Sequence, residues 1–431
     1  MGSQEVFRRH GDASIASITC AIRLPLAGST PIPAGDMLGA VRGVPLLGGD
    51  RMIRAVVFVA MLGVVVPAWA EEDTNVIKTL TVAEAELLAE QPGFLSLSLD
   101  SLTELSSEVA EALADSNRGL SLDGLSTLSP EVAEALAQHK NDLSLDGLTE
   151  LPSKAAKSIA KNKGGLSLNG LTKLSSKAAK SLAHHKGDLS LNGLTKLSSK
   201  AAIALSQQKG RLFLNGLTEL SPVVAEALAH HADYLSLKGL TTLSPEVADA
   251  LAQRKNELSL GGLTTISDEA AEALSHHEGD LHLEGLTTIS NKAAKALSQQ
   301  KGRLGLYGLT KLSPEVAEAL AENKFGLSLN RLTTLSDEAA EALSHHEGDL
   351  NLNGLTTLSD EAAKALSQQK GYLALDGLTG LSDDAAEALG QHKGILTLRG
   401  LTTLSDEAAE ALSQHDGPLL LSGLTMLWDE I

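Results

Sequence analysis

The chain has 431 residues, enough for two or three ordinary domains, yet only 2% of it is aromatic. Compact cores lean on Phe, Tyr and Trp, so here leucine and small side chains must do the packing, which suits a thin, regular structure. The formal charge of −19 disfavours nonspecific binding of nucleic acid, and a lone cysteine, Cys20, excludes an intramolecular disulfide and a cysteine metal site.

Residues 1–51 are rich in Gly and Pro and share nothing with the rest of the chain, which reads as a non-structural stretch or a misassigned start upstream of Met52. Residues 51–73 run "RMIRAVVFVAMLGVVVPAWAEED": Arg51 and Arg54, twelve apolar residues from Ala55 to Val66, Pro67, then Ala68-Trp69-Ala70 and acids. That order reads as a secretory signal peptide over 52–70 with an A-x-A cleavage site. The apolar run is shorter than the roughly 20 residues of a membrane span; the alternative is a buried helix or a short anchor. Cleavage would leave a protein starting at Glu71, with no cysteine for a lipid anchor and no membrane span. Its expected location is extracytoplasmic: periplasmic, cell-surface or secreted.

Residues 71–96 hold "LTVAEAELLAEQPGF", a helical half-unit expected to cap the first repeat. From Leu97 on, a Leu-x-Leu pair recurs fifteen times, the last at Leu419, always 23 residues apart and without insertion. The shared pattern is LxLxGLTxLSxxAAxALxxxxxx. "LSLNG" alternates and then turns, which predicts a short strand and a turn. "LTTL" is expected to carry two more leucines inward. Ser comes next, often as Ser-Pro-Glu (Ser129-Pro130-Glu131), a good helix cap, first position and dipole partner. "EAAEAL" places Ala and Leu on one face of a helix of about two turns. The helix ends in polar residues and usually Gly, read as a C-cap. No unit can bury its leucines alone; stacked units share one column. The last unit stops at "LLLSGLTMLWDEI", where Leu420 and Trp428 break the pattern, as a crude cap, a partner site or a truncation would.

"LSLNGLTKLSSKAAKSLA" (Leu166–Ala183) resembles a leucine-rich repeat, closest in style to the cysteine-containing type and its bacterial relatives. Leu171 stands where that type has Asn or Cys, and Leu174 where it has Ile. The resemblance spans about residues 95–431 and implies an α/β fold: a right-handed β-α solenoid, horseshoe or superhelix, with one parallel sheet and short helices on the other side. It also implies protein binding. Two departures stand out: Lys163 replaces the first leucine of the family's LxxLxL, and the family's asparagine ladder is missing from its usual position.

No nucleophile motif, phosphate loop or metal signature is present, and near-identical units are poor ground for a unique catalytic constellation. No cofactor is expected. Paired histidines (His184-His185, His230-His231, His276-His277, His345-His346) and single ones (His139, His392, His415) share one phase near the helix ends. Adjacent residues on a helix diverge, and other units carry Gln207-Gln208 or Gln299-Gln300 there, so the pairs read as solvated helix-end residues, not zinc ligands.

Charge is distributed unevenly. Between Leu151 and Lys209 there are eleven Lys and one acid, Asp188; the remainder of the chain after Ala70 has 18 basic residues against 49 acidic ones. Lys154, Lys157, Lys161, Lys177, Lys180 and Lys200 form a basic band on the helix side. Such runs are usually solvated faces; the functional alternative is docking of an anionic polymer or of an acidic part of a second copy. On the sheet side the outward positions are bland in early units and diversify later: Arg211 and Phe213; Tyr234 and Lys238; Asp280, His282 and Glu284; Arg303 and Tyr307. Neutral drift would produce this, and so would a binding face. The expected function is noncatalytic, exported binding of a protein or an envelope or extracellular polymer through the solenoid surface. The alternative is a self-associating structural component of the envelope or cell surface.

Overall fold

Every 23-residue unit folds as a short strand, a turn and one helix. A computed structural model describes residues 77–91 and 96–424; the expected signal peptide, Cys20 and Trp428 lie outside the described residues. Two compact units divide the chain, Met1–Val64 and Val65–Ile431, and all described residues belong to the second. Among them, fifteen helices, α1 (Val82–Glu90) to α15 (Asp406–Ser413), alternate with fifteen strands, β1 (Leu97–Ser98) to β15 (Leu419–Leu420).

The strands form one parallel sheet in chain order. The constant period fixes the register: Leu97 pairs with Leu120, Leu120 with Leu143, and so on to Leu396 with Leu419. Parallel pairing of neighbours requires a crossover, and the helix supplies it. In the unit starting at Leu166, Leu166, Leu168 and Leu171 point inward at 2% exposure or less and meet Ala178, Ala179 and Leu182 of α5 (Ser176–Leu182) at 0%. Alanines on the helix bring it close to the strands, which is how a core without aromatics packs densely. In this unit the expectation of two more inward leucines holds for Leu171 only; in two earlier units the second is buried as well, Leu128 at 3% and Leu151 at 7% exposure. Leu174 is half-buried, because the chain there has reached the rim where the helix starts.

Serine caps the helices as the sequence predicts. Ser175 Oγ accepts from the Ala178 amide at 3.1 Å, and Ser267 Oγ from Ala270 at 3.1 Å. Helix α4 (Ser153–Ile159) departs: Pro152 holds the cap position and makes no side-chain bond. At the N-terminal end, Thr81 and Glu84 form a reciprocal capping box on α1, and the Arg118 guanidinium donates to Leu88 O at 3.1 Å.

The glycine after each helix is not the left-handed C-cap expected. At Gly187 a Cβ would collide with Gly164 O of the preceding unit. Close approach of successive backbones selects the residue there.

Candidate functional site

The outward side of the sheet carries a ladder of carboxylates and amides. Asp123 Oδ1 accepts from Ser144 Oγ at 2.6 Å and from the Asp146 amide at 2.8 Å, one unit on. Asp146 repeats this with Ser167 and Asn169, and Asn169 with Ser190 and Asn192. Asn215 accepts from Ser236 Oγ and the Lys238 amide. The ladder returns later, where Asn353 accepts from the Asp376 amide and Asp376 from Arg399. It works because the side chain after Leu-x-Leu reaches the amide of its own counterpart in the next strand.

Between these stretches the ladder positions are Lys238, Gly261, Glu284, Tyr307 and Asn330. Lys238 Nζ lies 3.5 Å from Glu284 Oε1, reaching over the intervening strand β8 (Leu258–Ser259). Gly261 lies between them, and a Cβ there would meet Glu284 Oε2. His282 Nε2 is 2.9 Å from Glu257 Oε1. The Tyr307 ring stacks on His282 at 6.2 Å and 9°. A Cβ on Gly305 would meet Tyr307 Cε2 at 2.7 Å and His282 Nδ1 at 3.0 Å, so this glycine makes the room for the stack. Burial raises the Tyr307 phenol above its ordinary pKa. Two glycines and their enlarged neighbours therefore fit one another across four strands.

A second cluster adjoins it. Arg211 Nη2 is 2.6 Å from Asp188 Oδ2, its guanidinium lies 5.7 Å from the Phe213 ring centre, and Phe213 meets Tyr234 at 5.5 Å. Hydrogen bonding to Asp188 raises the Arg211 pKa further above its ordinary value. Phe213 closes one end of an open groove of about 410 Å³ floored by Ser121, Ser144, Ser167 and Ser190. Arg303 and Asp280 stand at the edge: the Arg303 amide donates to Asp280 Oδ1 at 2.9 Å, and its Nη2 lies 3.2 Å from Asp349 Oδ2. The structure thus gathers Lys238, His282, Glu284 and Tyr307 into one cluster and Arg211, Phe213 and Tyr234 into another. Asp188, Glu257, Gly261 and Gly305 complete them and were missed from the sequence. For Gly261 and Gly305 the signal was there, as glycines at outward sheet positions beside unusually large residues.

Fifteen in-register strands with Leu-x-Leu inward, a third leucine three residues on, and a helix back to the next strand decide the architecture. This chain folds as a leucine-rich-repeat solenoid. Among solved structures, the solenoid is similar to a leucine-rich-repeat protein of Leptospira interrogans (22% identity over 80% of this chain and 94% of that one, TM-score 0.40). It is also similar to an internalin of Listeria monocytogenes (17%, 81% and 94%, TM-score 0.37) and to a chain of the Drosophila Toll–Spatzle complex (19%, 70% and 42%, TM-score 0.47). No family model and no curated protein matches the sequence. The assignment rests on the repeat itself.

On the helix side, Lys154, Lys157, Lys161, Lys177, Lys180 and Lys200 are all exposed. Lys161 lies 3.7 Å from Glu134. Beside the band stand Ile203 at 57% and Val223 at 56% exposure, the two most exposed large apolar side chains among the described residues.

The histidines require a correction. The first of each pair is exposed or nearly so, but the second is sealed: His185, His231, His277 and His346 are at 2% exposure or less, with His139 and His392 in the same phase. Asn162, Gln208, Arg254, Gln300, Asn323 and Gln369 continue the column, equally buried. Most of these side chains bond backbone around the tight reversal after each helix, whereas the ring nitrogens of His231 and His277 make no hydrogen bond of normal geometry. Asn162 Nδ2 donates to His139 O at 2.8 Å, and Gln208 Nε2 to Gly187 O at 2.6 Å. Arg254 donates to Leu228 O, His231 O, Asp233 O and Glu257 O. From Asn162 to His392 the slot holds only side chains with N–H donors and never Lys or an acid, whereas the slot before it admits Lys161 and Glu322; that contrast was the readable signal. Burial holds His231 and His277 at about 4, and the nearby Arg254 charge adds to it in both. Among the described residues no group of three or more His, Cys, Asp or Glu is placed to hold a metal ion, and no helix is long and apolar enough to cross a membrane.

Proposed function

We propose that this solenoid is an exported, noncatalytic binding scaffold whose recognition surface is the sheet face from Arg211 to Tyr307. The supporting observation is the interrupted ladder. Over a run of uniform strands the outward face is spent on self-satisfied Asp, Asn and Ser; across Lys238, Gly261, Glu284 and Tyr307 it presents mixed charge and a stacked aromatic pair. Aromatic and Arg side chains on an extended solenoid face supply the anchors that dominate protein recognition. A protein is the favoured partner over an anionic envelope or extracellular polymer, because Lys238 and Arg211 are already matched by Glu284 and Asp188. Export rests on the sequence of residues 52–70.

The test places a photo-crosslinking side chain at Phe213, at Tyr307 or, as control, at Glu361 on the helix side, in the producing cell. One crosslinked protein obtained from both sheet positions, and lost from the Phe213 position in His282→Ala and Tyr307→Ala backgrounds, is the expected result. Crosslinks from Glu361 alone would sink the reading. N-terminal sequencing of the recovered protein should start at Glu71; a retained Met1 would remove the extracytoplasmic location and change the class of partner.

A further inference from the structure

The helix side carries an ordered charge pattern independent of the sheet face. Two exposed positions per helix, the second and fifth residues, set it. They are Glu131 and Glu134 in α3 (Pro130–Leu136), Lys154 and Lys157 in α4, Lys177 and Lys180 in α5, and Lys200 and Ile203 in α6 (Ser199–Leu205). Then come Val223 and Glu226 in α7 (Pro222–Ala229), Glu246 and Asp249 in α8 (Pro245–Ala252), Glu269 and Glu272 in α9 (Asp268–Leu274), and Lys292 and Lys295 in α10 (Asn291–Leu297). All sixteen side chains are exposed.

Outward from the boundary between α6 and α7, the pattern inverts sign at every step. Basic α5 mirrors acidic α8, basic α4 mirrors acidic α9, and acidic α3 mirrors basic α10. At the midpoint lie Ile203 and Val223. Such antisymmetry is what an isologous interface needs, since each patch must meet its own mirror position in the partner.

We propose that two copies of this chain associate through their helix sides about a two-fold axis between α6 and α7, running along the helices. The rotation reverses the order of units and keeps helix direction, so second positions face second positions and fifth face fifth. Lys177 then meets Glu246 of the partner subunit and Lys180 meets Asp249 of the partner subunit. Lys154 and Lys157 meet the partner's Glu269 and Glu272. At the centre Lys200 comes opposite the partner's Val223 and Ile203 opposite the partner's Glu226, which leaves the apolar side chains of the two copies diagonal to one another across the axis. Just before the helices, Lys196 comes opposite Glu219 of the partner subunit.

A slip of one unit either way opposes Lys154 and Lys157 to Lys292 and Lys295, or Glu131 and Glu134 to Glu269 and Glu272, so like charges fix the register. Beyond the eight helices, Glu108 and Glu111 would oppose Glu315 and Glu318, which ends the interface. Two like pairs remain at the helix ends, Lys140 with Lys301 and Lys186 with Lys255. Both Lys301 and Lys255 are already matched by Glu278, at 3.1 and 3.7 Å.

Sedimentation of the full protein as isolated tests this. The wild type should dimerise, more weakly as salt is raised. A basic-to-acidic variant (Lys154→Glu, Lys157→Glu, Lys177→Glu, Lys180→Glu) and an acidic-to-basic variant (Glu246→Lys, Asp249→Lys, Glu269→Lys, Glu272→Lys) should each lose dimerisation by on the order of 100-fold or more. Mixed, they should form a heterodimer, and all the changed residues are exposed, so folding is spared. A wild type that stays monomeric at low salt, variants that still self-associate, or a mixture that does not associate would each overturn the proposal. So would a monomeric wild type that captures soluble heparin through the band. None of these outcomes bears on crosslinking from the sheet face.

Discussion

Lys238 and Glu284 meet at 3.5 Å over a strand that contributes only Gly261 at the level of the pair. The pair exists because the ladder fails there, and a ladder residue put back should undo it. In Gly261→Asn the new side chain occupies the position of Glu284 Oε2. Its amide oxygen should accept from the Glu284 backbone N–H, as Asn192 accepts from Asn215 at 2.9 Å. Hydrogen exchange at the Glu284 amide should slow by about tenfold, the effect of one added hydrogen bond. Crosslinking from Tyr307 should fall in the same variant. Unchanged exchange would show that the gap does not interrupt the ladder.

Arg254 is the largest polar side chain in the buried column, at 1% exposure, and it serves four carbonyls. Desolvation lowers its pKa to about 10, so it stays charged near neutral pH. Arg254→Ala removes all four bonds and opens a void, and should cost roughly 3 kcal/mol or more of local stability. Arg254→Gln, a residue the column uses at Gln208 and Gln300, should recover part of it. Exchange at the amides of the adjoining helices reads both, since a solenoid opens unit by unit.

The buried histidines make stability depend on acid. His231 and His277 titrate at about 4 in the fold, against an ordinary value near 6.5. The unfolded chain therefore takes up protons between about 6.5 and 4 that the folded chain refuses, and stability falls as pH falls through that window. Each contributes roughly 2 kcal/mol of loss by pH 5. His139, His185, His346 and His392 are lowered too, chiefly by burial, and act in the same direction. The melting temperature should drop from pH 7.5 to pH 5, and His231→Gln with His277→Gln should flatten the drop. An unchanged slope in the double variant would assign the acid response to other groups.

Capping gives a paired prediction. Ser267→Ala removes the bond to the Ala270 amide and should cost about 1 kcal/mol. Pro152→Ser supplies α4 with the bond it lacks and should stabilise that unit by up to about 1 kcal/mol. Amide exchange in the first turn of each helix measures both changes.

Much of the molecule was legible in one unit of its sequence. A constant 23-residue step forces like residues into register, so the parallel sheet, the leucine column from Leu97 to Leu419 and the serine caps follow from local pattern and periodicity. The lysine band was legible for the same reason, because helical spacing alone places Lys177 and Lys180 on one face.

Tertiary structure decided what depends on the distance between units. Whether His185 is solvated or sealed turns on how closely the next unit stacks over it, and the sequence records only that the slot is polar. That Gly261 joins Lys238 to Glu284, and that Gly305 seats Tyr307 on His282, becomes visible only when strands two or three units apart are brought within reach of one side chain. Periodicity fixes which residues line up; packing distance fixes which of them touch.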